Sequence, residues 1–152
     1  MHWRKFTAIA AHMIEMRPSQ PDDAADLLRI WCDSVDATHH FLSAEDRASI
    51  EPLVADYVRE ASLLVATKDG RPVGFMGVTG QNIDSLFLAP EAHGIGIGRL
   101  LTERVPRPTT VEVNEQNEGA VAFYRRMGFA QTGRSPTDED GRPYPLLHMR
   151  RD

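Results

Sequence analysis

A glycine-rich turn between an apolar run and a helix-forming stretch is the feature that most constrains this chain. The run Leu86–Leu88 has the composition of a buried strand, and Pro90 ends it because proline cannot donate to a sheet ladder. Gly94, Gly96 and Gly98 follow at alternate positions. Glycine lets backbone N–H groups crowd around an anion, and the start of a helix adds unpaired donors. The stretch therefore predicts a strand, a phosphate-binding loop and a helix in succession.

Two common nucleotide-binding loops do not fit this stretch. A P-loop needs lysine and then serine or threonine after its last glycine, whereas Arg99 and Leu100 follow Gly98. A dinucleotide fingerprint needs the spacing G-x-G-x-x-G, and Arg99 stands where its third glycine would be. The residue types at these positions therefore exclude both a P-loop and a dinucleotide-binding loop.

Length and charge limit the remaining classes of function. The 152 residues suit one domain, which we expect at 13–152, with residues 1–12 a leader that is disordered or outside it. A net charge of −5 gives no electrostatic support for binding nucleic acid, and no apolar run is long enough to span a bilayer. Cys32 is the only cysteine, so we expect no internal disulfide, no cysteine-based metal site and a cytoplasmic protein. We expect no other metal site, because no cluster of residues has the spacing of metal ligands.

Hydrophobic periodicity and turn residues predict an α+β fold with the element order βααβββαβαββ. It comprises a mixed, mostly antiparallel sheet of about seven strands and about four helices. The second helix begins after Ser43 and is expected to kink or divide at Pro52. The helix after the glycine loop is expected to run from Gly98 to about Val105, and the last long helix to be capped by Asn117.

A second motif lies downstream of the glycine loop. Five residues match the pattern N-x-x-A-x-x-x-Y-x-x-x-G-F in register: Asn117, Ala120, Tyr124, Gly128 and Phe129. The loop itself resembles Q/R-x-x-G-x-G/A, with His93 at the first position. Both patterns are typical of the GNAT acetyltransferases. The chain resembles that family from Ile14 to Arg150, and within it the small bacterial YjaB-type subgroup.

The resemblance implies the three-layer α/β GNAT fold and N-acetyl transfer from acetyl-CoA to a primary amine, by direct attack in a ternary complex. The backbone of Leu86, Phe87 and Leu88 would pair with the pantetheine arm, and Asn117 would contact its far end. The pyrophosphate would lie on seven consecutive residues of the loop: His93, Gly94, Ile95, Gly96, Ile97, Gly98 and Arg99.

Two residues are the candidates for acid–base chemistry. The family pattern makes Tyr124 the general acid, since a phenol can protonate a departing thiolate without being ionised at neutral pH. The alternative is a core aromatic residue. Glu112 is the candidate base, because a primary amine is protonated at pH 7 and must lose a proton before attack. Strand alternation points Glu112 away from the face of Val111 and Val113, and a solvated acid is the alternative.

The acceptor is less constrained than the cofactor. Asp36, His39, His40 and Tyr144 are expected to form a polar rim around an amine acceptor, which is a protein lysine, an N-terminus or a small amine. We expect neither nucleic acid nor membrane as a partner, and a monomer or homodimer. Two alternatives stay open: a catalytically idle coenzyme A sensor or partner-binding module, and a transferase that uses a longer acyl-CoA.

Overall fold

The computed structural model of the chain describes residues 13–152, and the predicted leader lies outside them. Seven strands and four helices follow in the predicted order. The strands are β1 Ile14–Pro18, β2 Leu64–Lys68, β3 Arg71–Thr79, β4 Asn82–Leu88, β5 Thr109–Asn114, β6 Ala130–Ser135 and β7 Leu146–Arg151. The helices are α1 Ala24–Thr38, α2 Ala44–Glu60, α3 Ile97–Thr102 and α4 Glu118–Arg126. None of the helices within residues 13–152 is both long and apolar enough to cross a membrane.

The strands form one mixed sheet in the order β1-β2-β3-β4-β5-β7-β6. Strands β1 to β4 are an antiparallel meander, and β5, β7 and β6 form a second antiparallel group. Among these seven strands the only parallel pair is β4 with β5, because α3 crosses over between them. The predicted fold class is confirmed.

Strands β4 and β5 separate soon after they meet. Their ladder contains two residue pairs, Asn82 with Thr110 and Ile83 with Val111. The register between β3 and β4 shifts at Asp84, immediately after the last of these pairs. An extra residue in one strand bends that strand and increases its twist. The shift at Asp84 therefore turns the rest of β4 away from β5 and opens the sheet.

Side-chain caps begin two of the helices, and a glycine follows the end of one of them, at the positions that the sequence indicates. The Ser43 hydroxyl accepts a hydrogen bond from the Asp46 amide at 3.1 Å, and Asn117 Oδ1 accepts one from the Ala120 amide at 3.1 Å. Gly128, after α4, has a φ of 95°, which is the left-handed conformation that glycine favours at this position.

Two predictions about the helices are not met: a division of α2 at Pro52 and the extension of α3 to Val105. Helix α2 is not divided at Pro52, because Pro52 and Ala48 both lie on the exposed side, where water can replace the missing backbone bond. Helix α3 ends at Thr102 and does not reach Val105. The Arg104 and Val105 amides bond to carbonyls three residues earlier, which tightens the chain into turns before Pro106.

Candidate active site

A cavity of about 550 Å³ opens where β4 and β5 separate. The end of α1, the outer half of β4, the glycine loop with α3, and one face of α4 form its wall. The wall includes twelve residues proposed from the sequence: His39, Leu86, Phe87, Leu88, His93, Gly94, Gly96, Ile97, Gly98, Arg99, Asn117 and Tyr124. The structure thus brings the two sequence motifs together around one space.

The β4 wall offers backbone groups to a ligand. Leu86, Phe87 and Leu88 pair with Met76, Phe75 and Gly74 of β3 on one side. In the described part of the chain, no strand pairs with them on the β5 side, since the β4–β5 ladder stops at Ile83. An unpaired strand edge is a row of donors and acceptors suited to an extended amide-containing chain.

The glycine loop depends on glycine at particular positions. Gly94 and Gly96 have φ angles of 79° and 89°, a conformation that other residues adopt only under strain. A Cβ on Gly98 would lie 3.0 Å from the ring of Phe123, so glycine there lets α3 approach α4 closely. Ile95 is 48% exposed and is not part of the wall.

Tyr124 is a buried polar side chain of the wall, with 6% of its surface exposed. Its ring packs edge-on against Phe123 and Phe129, with centroids 5.1 Å and 5.2 Å away. Burial raises the pKa of the Tyr124 phenol well above its ordinary value, so the hydroxyl keeps its proton at neutral pH. Within residues 13–152, no group is hydrogen-bonded to that hydroxyl.

The residue that follows α1, His39, also lines the cavity. His39 Nδ1 lies 2.7 Å from Thr38 Oγ1, and that hydroxyl donates to the Ser34 carbonyl, also at 2.7 Å. Burial lowers the pKa of His39 below its usual value, and the neighbouring His40 lowers it further. Ser34, Thr38 and His39 all line the cavity.

Glu112, the candidate base from the sequence, lies on β5. It is on the exposed face of β5, as alternation predicts, but it is not among the described residues of the cavity wall. Glu112 stands opposite His148 of β7, with its Oε1 3.4 Å from His148 Nδ1. His148 Nε2 in turn lies 2.7 Å from Ser135 Oγ. Glu112 therefore lies in a group of polar side chains on the exposed face of β5.

Three of the predicted acceptor residues also lie outside the wall. Asp36 is paired with Arg47, whose Nε lies 2.6 Å from its Oδ1, so its charge is already compensated. His40 is exposed. Tyr144 is buried, and its hydroxyl donates to Asp46 and accepts from the Ser43 amide. Tyr144 fixes the loop before β7 to the start of α2.

Sequence reasoning missed several residues of the wall: Ser34, Thr38, Gly119, Ala120, Phe123, Arg126 and Met127. Ala120 and Met127 lie four residues before and three residues after Tyr124, and three residues before and four residues after Phe123. Projection of α4 from the predicted position of Tyr124 would have found them. Ser34 and Thr38 carry no such signal, because their place in the wall depends on how α1 packs against β4.

Comparisons with known proteins agree with this architecture. Residues 35–151 match the family model described as an acetyltransferase (GNAT) domain. The chain is 49% identical over 142 residues to the peptidyl-lysine N-acetyltransferase YjaB of Escherichia coli K12, covering 90% of this chain and 96% of YjaB.

Solved structures give the same result. The solution structure of apo YjaB from Escherichia coli superposes with a TM-score of 0.88 at 48% identity, covering 91% of this chain and 97% of YjaB. The PaiA N-acetyltransferase of Thermoplasma acidophilum, crystallised with coenzyme A, has the same fold at 20% identity, with a TM-score of 0.68 over 90% of this chain and 98% of PaiA. With its two motifs around one cavity and these similarities, the chain belongs to the GNAT family and is an N-acetyltransferase.

Proposed function

We propose that this protein transfers the acetyl group of acetyl-CoA to the ε-amine of lysine in a protein or peptide. The observation that carries the proposal is the cavity shared by the open edge of β4, the glycine loop and Tyr124. The acceptor class is supported by YjaB, a relative named as a peptidyl-lysine N-acetyltransferase.

The residues of the wall fit acetyl-CoA in chemical type. The unpaired edge at Leu86–Leu88 matches the two amides of a pantetheine arm, and one of its N–H groups would also hold the thioester carbonyl. The loop from His93 to Arg99 would carry the pyrophosphate, with Arg99 and Arg126 as positive charges in the same wall. Asn117 uses its Oδ1 as a helix cap, which leaves its NH2 group for the arm.

In this proposal the amine attacks the thioester directly, with no acyl-enzyme. Cys32 is not part of the described wall; its Sγ lies 3.2 Å from Glu51 Oε1 and its pKa is raised by burial, which disfavours the thiolate. Tyr124 is the proposed general acid, because its buried phenol is protonated and has no competing hydrogen-bond partner among residues 13–152. It would protonate the sulfur as the C–S bond breaks.

Two residues are candidates for the group that accepts the proton of the amine. Glu112, the choice from sequence, would act through water from its position outside the wall. His39 lies in the wall itself. The two candidates differ in their position relative to the cavity and in their hydrogen-bond partners.

The proposed activity is tested with purified protein, acetyl-CoA and a peptide that has one lysine and a blocked N-terminus. The matched control is the same peptide with that lysine already acetylated. Thiol release together with the mass gain of one acetyl group on lysine is expected. Acetylation of free N-termini or small amines alone would overturn the acceptor class. Binding of acetyl-CoA without transfer to any amine would identify a sensor, and faster transfer from a longer acyl-CoA would change the donor.

A further inference from the structure

We propose that His39 is the general base of this acetyltransferase, with its ring held by Thr38 so that Nε2 is free to take the proton of the attacking amine. The inference rests on the proposed function and adds a catalytic residue to it. Three observations support it: the position of His39, the hydrogen bonds that determine which of its ring nitrogens is protonated, and the position of the other candidate base, Glu112.

The position of His39 is the first observation. It lines the same cavity as Tyr124, the proposed acid, and the β4 edge. The ring is also packed against Phe41, with centroids 5.1 Å apart, and Phe41 against Tyr144 at 6.0 Å. These contacts help to hold the ring of a residue that also lines the cavity. An acid and a base in one wall are what acyl transfer to an amine requires.

The hydrogen bonds of Thr38 determine which ring nitrogen carries the proton. A carbonyl can only accept, so the single hydroxyl proton of Thr38 is committed to the Ser34 carbonyl at 2.7 Å. The hydroxyl can then only accept from His39 Nδ1, 2.7 Å away, which places the imidazole proton on Nδ1. Nε2 is left with a free lone pair, and no group within residues 13–152 donates to it. This is the tautomer a base needs.

The charge state of His39 agrees with that assignment. Burial lowers its pKa below the ordinary value, with a smaller contribution from His40, so the ring is neutral at pH 7. The described titratable and charged groups that line the same cavity are His93, Arg99, Tyr124 and Arg126. Tyr144 packs against Phe41, and His40 is the next residue in the chain. None of these six is a carboxylate that would hold the imidazolium.

The proposed step moves one proton to each of two groups. The nitrogen of the neutral amine forms a bond to the acetyl carbon, and its proton passes to His39 Nε2. The C–S bond breaks, and the sulfur takes the Tyr124 proton. The imidazolium returns its proton through solvent to the Tyr124 phenolate, which restores both groups. An amine that arrives as ammonium first passes one proton to His39 Nε2, which releases it to solvent before the attack, and this is the transfer that high pH makes unnecessary.

Replacement of the histidine is the direct test, with kcat/KM for the lysine peptide measured from pH 6 to pH 10. We expect His39→Gln to lose about 10²-fold at pH 7 and to recover as pH approaches that of amine deprotonation, roughly 10.4. KM for acetyl-CoA should change by less than about twofold. Added imidazole should restore part of the rate of His39→Ala. A loss that is the same at every pH, or no loss, would overturn the proposal.

Thr38 is a positioning residue in this scheme and provides a second test, in which His39 itself is unchanged. Thr38→Val removes the acceptor of the Nδ1 proton and should lower kcat more than it raises KM, whereas Thr38→Ser should retain the wild-type rate and pH profile. Equal rates for the two variants would contradict the assigned role.

One measurement needs no variant. Long-range nitrogen–proton NMR of histidine in the wild-type protein should show Nδ1 protonated and Nε2 bare at neutral pH, and the opposite tautomer would overturn the inference. If the wild type acetylates no peptide, the proposed function fails. If the wild type is active and His39→Gln equals it, only the role of His39 fails.

Discussion

Glu112 and His148 face each other across β5 and β7, with 3.4 Å between Oε1 and Nδ1, and neither residue is among the described residues of the cavity wall. The pair is partly exposed, at 39% for Glu112 and 35% for His148. Solvent therefore screens any charge interaction between the two side chains.

This pairing gives the first prediction, for Glu112→Gln. If His39 is the base, the variant should keep kcat/KM within about threefold of wild type from pH 6 to pH 10, since Glu112 lies outside the described wall of the cavity. A steady-state pH profile with the lysine peptide makes the comparison. A large loss that recovers at high pH would instead restore Glu112 as the base.

Tyr124→Phe tests the proposed acid. It removes only the hydroxyl and keeps the ring that packs against Phe123 and Phe129, so the fold should be unchanged. We expect kcat to fall on the order of 10²-fold or more while the Kd for acetyl-CoA stays constant. Tyr57→Phe is the matched control: its hydroxyl bonds Ser85 at 2.7 Å, outside the described wall, so its loss should leave kcat intact. Wild-type turnover by Tyr124→Phe would remove that residue from the mechanism.

His93→Arg tests the loop position at which this chain departs from the family pattern. His93 is exposed at the wall, and a guanidinium carries a permanent charge and five donors to a phosphate. We expect a tighter Kd for coenzyme A by roughly fivefold, about 1 kcal/mol, measured by calorimetry. The gain should shrink as salt increases. An unchanged Kd at low salt would mean that position 93 does not contact the phosphates.

Asp23 provides a pH-dependent stability prediction. It is nearly buried and accepts two hydrogen bonds from Arg17 at 2.8 Å and one from the Gln20 amide at 2.8 Å. The Arg17 guanidinium, and secondarily the Gln20 amide, hold the pKa of this carboxyl below its usual range despite burial. The stabilisation is therefore present above the unfolded pKa of about 3.9 and is lost as pH falls through the folded value.

The measurement is urea unfolding of Asp23→Asn and wild type between pH 7 and pH 2. We expect the substitution to lower the free energy of unfolding by roughly 2 kcal/mol at pH 7, with the difference vanishing at the acid end. Asp33→Asn, on the exposed side of α1, is the control and should not show this convergence. A difference that persists unchanged to pH 2 would rule out the ionised carboxylate as its source.

The sequence predicted one half of the site better than the other. Asn117, Tyr124 and Gly128 lie on one helix and its cap, so their spacing along the chain fixes their relation in space. Leu86–Leu88 and the glycine loop are local in the same way. The presence of Thr38 and His39 in the same cavity wall as Tyr124 depends on how α1 packs against the sheet, which no local sequence pattern reports. Strand alternation predicted the correct face for Glu112. The side chains that lie next to Glu112 on that face come from β7 and β6, which are distant in sequence.

The two residue pairs between β4 and β5 also have a thermodynamic consequence. Four strands on one side and three on the other are joined by a ladder of only Asn82–Thr110 and Ile83–Val111. A ligand that lies along the rest of β4 supplies hydrogen bonds to one half and contacts to the other through α4, so it completes the sheet as a missing strand would. Any ligand bound only by the folded state stabilises it by mass action, about 2.7 kcal/mol at a hundredfold excess over Kd. The midpoint of thermal unfolding should therefore rise with coenzyme A concentration, and amide exchange in Leu86–Leu88 should slow most. The stability of the folded sheet should therefore depend on the bound substrate as well as on the chain.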